Sequence, residues 1–557
     1  MPEQNSAYRA LRLALALGVA AVAGPVGASA AQERVATTQD GAVRGAVKGD
    51  VVEYLGIPYA APPVGDLRWR PPVKPAPWKG VRPATAFGPV CAQVSLLGVF
   101  AGPASSNEDC LYLNVIAPKA ASAKGKKLPV LFWIHGGGFI DGAASDYDAS
   151  KLATRGNVIV VSVNYRLSLL GFFAHPALNR EGHLFANYGL LDQQFALRWV
   201  KENIASFGGD PGNVTVAGQS AGGASAAFAV ISPLSRGLAH RAIIQSSASF
   251  LTAIPMEVAE QKGIAFAKAA GCESATDAAT AACLRKLPAD TLIKLSGPPE
   301  GFGPFVIAPA ADGQILPSGG ASAIKSGKFD PMPIMIGSTR DEGNFFAAIP
   351  VYYSGKAIGQ VDVENYVKAV FQGNAGPGNT PPAYPQGTVD RILTLYAAAD
   401  YKSPQLRMNA IQSDAMICRI QYGTRLLGEK VPVYAYEFRD RTAPSIFPEL
   451  PDFAPMAYHT ADLQYLFPGF HGGDKGVSHA LNAGQQKLSD ALVDAWTNFA
   501  RTGNPNGSGK NYWPRYSSDP AVPAYLAQDI PQLSKMTGKE LAADHKCDFW
   551  EKLLVYN

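Results

Sequence analysis

Between Phe207 and Gly223 the chain reads FGGDPGNVTVAGQSAGG, and that order of residues admits few backbones. At its centre Gly218-Gln219-Ser220-Ala221-Gly222 is a G-x-S-x-G. A serine so flanked can occupy a strained turn between a strand and a helix. There the two glycines let neighbouring backbone pass closely, and the hydroxyl is left exposed at the sheet edge. The pentapeptide alone is weak, so its surroundings carry the weight. Asn213–Ala217 (NVTVA) is short, β-branched and apolar, as a buried parallel strand should be. The following AGGASAAFAVIS is Ala-rich and free of proline until Pro233, which suits a helix packed tightly on a sheet. Strand, glycine-flanked serine and helix together predict a nucleophile rather than a serine in a surface turn.

The 557 residues are 47% hydrophobic and 17% charged, ample for a large core. Large α/β enzymes often fill such a length with one domain. The net charge of +4 comes with no basic cluster, so no nucleic-acid partner is expected. Arg9 and Arg12 precede an apolar run, Leu13–Ala23, and the small residues Ala28-Ser29-Ala30 follow. This predicts a signal peptide over residues 1–30 and a secreted or periplasmic protein of one domain over 31–557; an N-terminal lipid-facing anchor is the alternative. No later stretch approaches the roughly 18 uninterrupted apolar residues of a membrane span. Six cysteines, Cys91, Cys110, Cys272, Cys283, Cys418 and Cys547, agree with an oxidising compartment. None lies in a C-x-x-C or near a His pair, so no zinc or other metal is expected.

Further apolar runs lie at Pro129–His135, ending in Gly136-Gly137-Gly138, and at Asn157–Tyr165, Arg241–Ser247, Pro333–Ser338 and Val431–Phe438. Leu190–Ile204 has a helical apolar face. Strands alternating with helical segments predict an α/β fold, a mostly parallel sheet covered on both faces. The helical and irregular stretches Glu257–Lys328 and Val351–Asp414 read as cap insertions at the sheet's carboxyl edge. Val51–Pro72, dense in Pro, Gly and aromatics, reads as irregular structure.

A serine nucleophile needs a histidine base and a carboxylate to orient it. The chain order serine, acid, histidine leaves His459, His471, His479 and His545 as candidates. His545 sits beside Cys547, and His471 and His479 flank a Gly-Asp-Lys-Gly loop. His459, in a loop opening into an apolar segment, has the best local context. The acid should follow a core strand, and either Asp341 or Glu342, directly after Pro333–Ser338, satisfies that; whichever is not used reads as a loop acid bound to Arg340. An oxyanion hole draws on the N–H of Ala221 and on the glycine loop after His135.

Several motifs together resemble the type-B carboxylesterases of the α/β-hydrolase superfamily, a family that includes the cholinesterases and bacterial p-nitrobenzyl esterases. They are FGGDPGNVTVAGQSAGG, EDCLYLN, GIPYAAPPVGDLRWRPP, HGGGF, NYRLSLLGFF, NYGLLDQQFALRWV, RDEGNFF and AYHTADLQYLF, collinear with the family from about Gly41 to Trp550. The resemblance implies a serine esterase with Ser220 as nucleophile, Glu342 as acid and His459 as base. It implies an oxyanion hole of Gly137, Gly138 and Ala221, and a supporting serine near the acid at Ser246. It also implies disulfides Cys91–Cys110, Cys272–Cys283 and Cys418–Cys547, the last worth at most roughly 4 to 5 kcal/mol in the chain-entropy model. Arg68–Glu108 and Arg166–Asp192 match the family's structural ion pairs.

Departures from the family narrow the substrate. No tryptophan lies between Cys91 and Cys110 to hold a choline cation. Phe305 aligns with one acyl-pocket aromatic while Gly303 falls at the other, which implies room for acyl groups larger than acetyl. The expectation is hydrolysis of neutral carboxylic esters through an acyl-serine, with a small-molecule ester as partner and no cofactor. The alternatives are an amidase or transesterifying enzyme with the same three residues, or a non-catalytic binding module of the same fold.

Overall fold

The computed structural model describes residues 33–94, 101–122, 124–296, 308–372, 384–473, 475–508 and 512–553. The signal-peptide reading and the acyl-pocket reading of Gly303 and Phe305 lie outside the described residues. A thirteen-stranded sheet forms the frame. Its parallel centre runs in the order Ile159–Val163, Leu128–Ile134, Gly209–Gln219, Arg241–Gln245, Ile334–Thr339, Val433–Phe438, Pro523–Gln528. On one flank Tyr112–Pro118, Val51–Pro58, Ala42–Lys48 and Glu33–Thr37 continue it antiparallel. On the other flank Ser534–Thr537 ends it antiparallel.

The apolar runs are continuous because both faces of the central strands are covered. Side chains alternate across a strand. Val130, Phe132 and Ile134 therefore enter one core with residues of the helices Tyr188–Asn203 and Ala221–Ile231. Leu131 and Trp133 enter a second core with Leu488, Leu492 and Trp496 of the helix Ala483–Thr502. Every residue of Ala221–Ile231 is buried, which its run of small side chains permits.

Two sequence expectations need correction, and one strand was not foreseen. Val51–Pro58 is a strand, not irregular structure; VVEYLGIP has strand-forming residues before the prolines begin, and pairing on both sides holds it. The elbow strand is longer than the predicted Asn213–Ala217, spanning Gly209–Gln219. The strand Pro523–Gln528 carries no apolar run distinct enough to have been singled out. The cysteines pair as Cys91–Cys110, Cys272–Cys283 and Cys418–Cys547, with Cα separations of 4.9, 5.4 and 5.2 Å. The ion pairs Arg68–Glu108, partly buried, and Arg166–Asp192, fully buried, are also present.

His545 ties the C-terminal segment to the sheet. Its Nδ1 meets Asp414 at 2.8 Å and its Nε2 meets Glu437 at 2.5 Å, both buried, and the Cys418–Cys547 disulfide lies beside it. Burial opposes charge on this ring, but Glu437 and Asp414 outweigh it and raise its pKa from 6.5 to about 10. Because the folded pKa lies above the unfolded one, the stability this contact contributes is complete below pH 6.5. It is lost as pH rises through about 10. Thermal melts of wild type and His545→Gln should therefore differ by several degrees at about pH 6 and converge near about pH 11. A gap that stays constant over that range would show that the imidazolium contributes nothing.

Candidate active site

The sheet's register places the elbow. Gly218 lies opposite Ile134 on one side and Ile244 on the other. A Cβ on Gly222 would collide with the carbonyl of Ile134, and one on Gly218 would collide with Gly222 and Ile134. The two glycines of G-x-S-x-G thus let the helix start against the neighbouring strand end. Ser220 caps that helix at φ 58° and ψ −123°, a conformation that costs a non-glycine residue on the order of 1–3 kcal/mol. The Ser220 N–H donates to Gln245 O at 2.9 Å, and its carbonyl accepts from Ala224 at 2.9 Å, so the surroundings hold the strained turn.

His459 and Glu342 meet behind it. Glu342 follows the strand Ile334–Thr339 and leads into the helix Gly343–Ser354. Its carboxylate is fully buried; Oε1 accepts from the Thr339 N–H at 2.9 Å, and Oε2 forms a short hydrogen bond with His459 Nδ1. With Nδ1–H donating to Glu342, the lone pair of the neutral ring sits on Nε2. That nitrogen is buried and has no hydrogen-bond partner among the described residues. Phe345 and Phe346 pack on the imidazole at 5.8 and 5.1 Å between ring centroids. Asp462, also buried, accepts from Gln245 Nε2 at 3.0 Å. Burial and the charge of Glu342 push the Asp462 pKa up to about 7.

Asp341 goes elsewhere. Arg441 binds its two oxygens at 2.8 Å each, Asn409 Nδ2 donates at 3.1 Å, and the Ala457 N–H donates at 3.3 Å. The expected pairing with Arg340 is corrected: that guanidinium reaches Asp544 and Glu437, because the Asp341 side chain turns inward toward the His459 loop. The other histidines are also placed. His471 Nδ1 lies 3.1 Å from Gly473 O, His479 is exposed, and His545 is held as described above. Ser246, at φ 49°, donates its N–H to Gly337 O at 2.8 Å on the acid's strand. Its hydroxyl is buried and makes no hydrogen bond among the described residues.

The glycine loop follows the strand Leu128–Ile134. Gly137 has φ 106°, and its carbonyl accepts from the N–H groups of Ile140 (2.9 Å) and Asp141 (3.1 Å), closing a tight turn. A side chain there would run into the Asp141 backbone. The N–H groups of Gly137, Gly138 and Ala221 engage no protein acceptor among the described residues. His135 is buried and stacks on Tyr165 at 4.5 Å, and its Nδ1 hydrogen-bonds the Gly136 carbonyl at 2.8 Å. Burial lowers its pKa to about 4, against that bond, so it stays neutral and shapes the loop.

Ser220, His459, Gly137 and Gly138 line one cavity of about 590 Å³ including its open mouth. Tyr147, Phe345, Phe346 and Phe470 supply apolar wall, and Asp146 is among its lining residues. Sequence reasoning missed Gln219. Its Nε2 donates to the His459 carbonyl at 2.7 Å, so a residue in the elbow itself fixes the histidine's backbone. Nothing in the pattern G-x-S-x-G signals which distant carbonyl that side chain will meet. Taken as chemistry, the site offers a hydroxyl on a rigid turn, a carboxylate-oriented imidazole with its other nitrogen unpaired, and unpaired N–H groups opposite.

Comparison with known proteins gives a consistent result. Residues 32–550 match the profile of the carboxylesterase family. A fatty acyl-CoA hydrolase precursor, medium chain, of Anas platyrhynchos is 34% identical, the match covering 98% of this chain and 96% of that protein. An acylcarnitine hydrolase of Mus musculus is 35% identical over 93% of this chain and 91% of its own, and a cocaine esterase of Homo sapiens is 34% identical over the same shares. Among solved structures, a thermophilic PNB esterase superposes with a TM-score of 0.73 at 32% identity. It covers 93% of this chain and all of its own.

Proposed function

Since the chain belongs to the carboxylesterase family and is a carboxylic ester hydrolase of the α/β-hydrolase fold, we propose that Ser220, His459 and Glu342 carry out its reaction in the cavity they share. The observation that carries this reading is His459. A buried carboxylate holds its Nδ1, while its Nε2 is left unpaired at a cavity lined by a serine on a strained turn. His459 Nε2 takes the Ser220 proton as Oγ attacks the ester carbonyl. Glu342 stabilises the imidazolium so formed. The N–H groups of Gly137, Gly138 and Ala221 receive the oxyanion. His459 then gives the proton to the leaving alcohol, and the acyl-serine remains. A water deprotonated by His459 attacks that ester, and collapse returns the proton to Ser220 and releases the acid.

The substrates are small esters, and we read the favoured ones as uncharged. The cavity wall is largely glycine and aromatic carbon. A charged acyl chain would lose its water there without gaining a counter-charge of its own among the wall residues named above. The named substrates of the relatives differ in charge and select no class. Three disulfides agree with export, and no helix among the described residues is long and apolar enough to cross a membrane. We place the protein outside the cytoplasm, secreted or periplasmic, with residues 1–30 as its leader and 31–557 as one catalytic domain.

A panel of p-nitrophenyl esters from acetate to decanoate, with the matching anilides, tests the reading. Esters should be cleaved and anilides not; the reverse would make the enzyme an amidase. The hemisuccinate ester should have a kcat/KM about tenfold below that of the butyrate, the cost of bringing a carboxylate into a largely apolar cavity. Equal rates on both acyl chains in wild type would remove the preference for uncharged substrates.

A further inference from the structure

The turn that carries the oxyanion donors is anchored at its start by the strand Leu128–Ile134. We propose that its far end is set by Gln93, a positioning residue for the oxyanion hole reaching in from the Cys91–Cys110 loop. The inference rests on the esterase reading above. Gln93 is 1% exposed and exchanges both hydrogen bonds of its amide with one residue, Gly142. Its Oε1 accepts from the Gly142 N–H at 2.6 Å, and its Nε2 donates to the Gly142 carbonyl at 3.1 Å. The side chain thus pairs with a peptide as a neighbouring strand would.

Gln93 is itself held firmly. Its N–H donates to Ser105 O at 2.8 Å and its carbonyl accepts from Ser105 N at 3.0 Å, while Ser105 Oγ donates to Val90 O at 2.8 Å. The Cys91–Cys110 bond closes the same loop. On the other side, Gly142 (φ 117°) presses against the start of the turn: a Cβ there would lie 2.5 Å from the Gly136 carbonyl oxygen and 2.5 Å from His135 Nδ1. Gly136 is in turn packed on the elbow, a Cβ on it coming within 3.2 Å of Ser220 Cβ. Gln93 therefore clamps Gly142 onto His135-Gly136, the two residues that set where the Gly137 and Gly138 N–H groups point. Two further anchors, Ser168 N–H to Phe139 O (2.7 Å) and Ala144 N–H to Asn164 Oδ1 (2.9 Å), come from the chain after the strand Ile159–Val163. Gln93 alone among these ties the turn to the disulfide loop, whose Ala101 also lines the cavity.

A donor aimed slightly wrong loses part of what its deletion would, so the effect belongs in the transition state and not in substrate binding. The test uses the full mature chain and two variants, Gln93→Ala and Gln93→Met. The second keeps the buried volume while removing both hydrogen bonds. Active sites are counted by burst titration, and kcat and KM are measured on p-nitrophenyl butyrate. Inhibition by an alkyl trifluoromethyl ketone, whose adduct with serine places an oxyanion in the hole, gives a second readout. In both variants kcat per active site should fall about 10- to 50-fold with KM within about threefold, and the ketone's Ki should rise by the same factor as kcat falls. A residue that merely holds the fold together would lower Tm and the number of active sites without moving kcat per site or Ki. Gln93→Met with wild-type kcat per site and Ki overturns the proposal. A wild-type protein that neither hydrolyses the ester nor binds the ketone overturns the esterase reading itself.

Discussion

Ser220→Ala is expected to fold like wild type and to hydrolyse p-nitrophenyl butyrate at least about a thousand-fold more slowly per molecule, with residual turnover left to the oxyanion donors and substrate binding. The folding half of this expectation follows from what holds the elbow. The hydrogen bonds that fix Ser220 run through its main chain, to Gln245 and from Ala224, and an alanine keeps both. The turn's positive φ burdens alanine as it burdens serine. Gln219 still donates to the His459 carbonyl, and Glu342 still holds the imidazole. The melting temperature should therefore stay within a degree or two of wild type, and any lost rate is chemistry. A variant that turns over as fast as wild type would show that the nucleophile lies elsewhere and would take the proposed mechanism down. Two inactive proteins, wild type and variant alike, would instead favour the binding-module alternative.

The elbow was legible because it is local. The buried end of a strand, two glycines forced by close backbone approach and a small-residue helix lie within a few dozen residues, and each leaves its mark on composition. The glycine loop was legible for the same reason. The choice between Asp341 and Glu342 was not, since both follow the same strand. The difference is made by Arg441, Asn409 and Ala457, which draw Asp341 away. Those partners stand 100, 68 and 116 residues along the chain, beyond any spacing rule. Only the family resemblance distinguishes Glu342 in the sequence. Gln93 and Gln219 escaped for a related reason: each is a neutral side chain whose role is the identity of one distant backbone group. The antiparallel flank was missed at Val51–Pro58 because the Pro- and Gly-dense stretch behind it masked an ordinary strand.

That ambiguity supplies the sharpest second test, Glu342→Gln set against Asp341→Asn. Glu342→Gln keeps the size of the side chain and its acceptor for the Thr339 N–H. It replaces the carboxylate at His459 Nδ1 with an amide, which cannot stabilise an imidazolium. If the amide donates to Nδ1, it also holds the ring with its proton on Nε2, where it cannot receive one from Ser220. A fall in kcat of about a thousand- to ten-thousand-fold is expected, the size such carboxylate-to-amide changes have in serine hydrolases. Asp341→Asn should behave differently. It breaks the two-oxygen contact with Arg441, whose side chain is half exposed, so the ion pair itself is worth little in water. Its larger role is the two-way pairing with Ala457, two residues before His459: Asp341 N–H to Ala457 O at 2.9 Å, and Ala457 N–H back to the carboxylate. An asparagine retains an oxygen for that return bond, so kcat should stay within about tenfold of wild type while Tm drops by a few degrees. The two variants thus separate along different axes, one losing rate and the other stability. Should Asp341→Asn lose the thousand-fold and Glu342→Gln the few degrees, the two acids exchange roles and the short Glu342–His459 contact is structural.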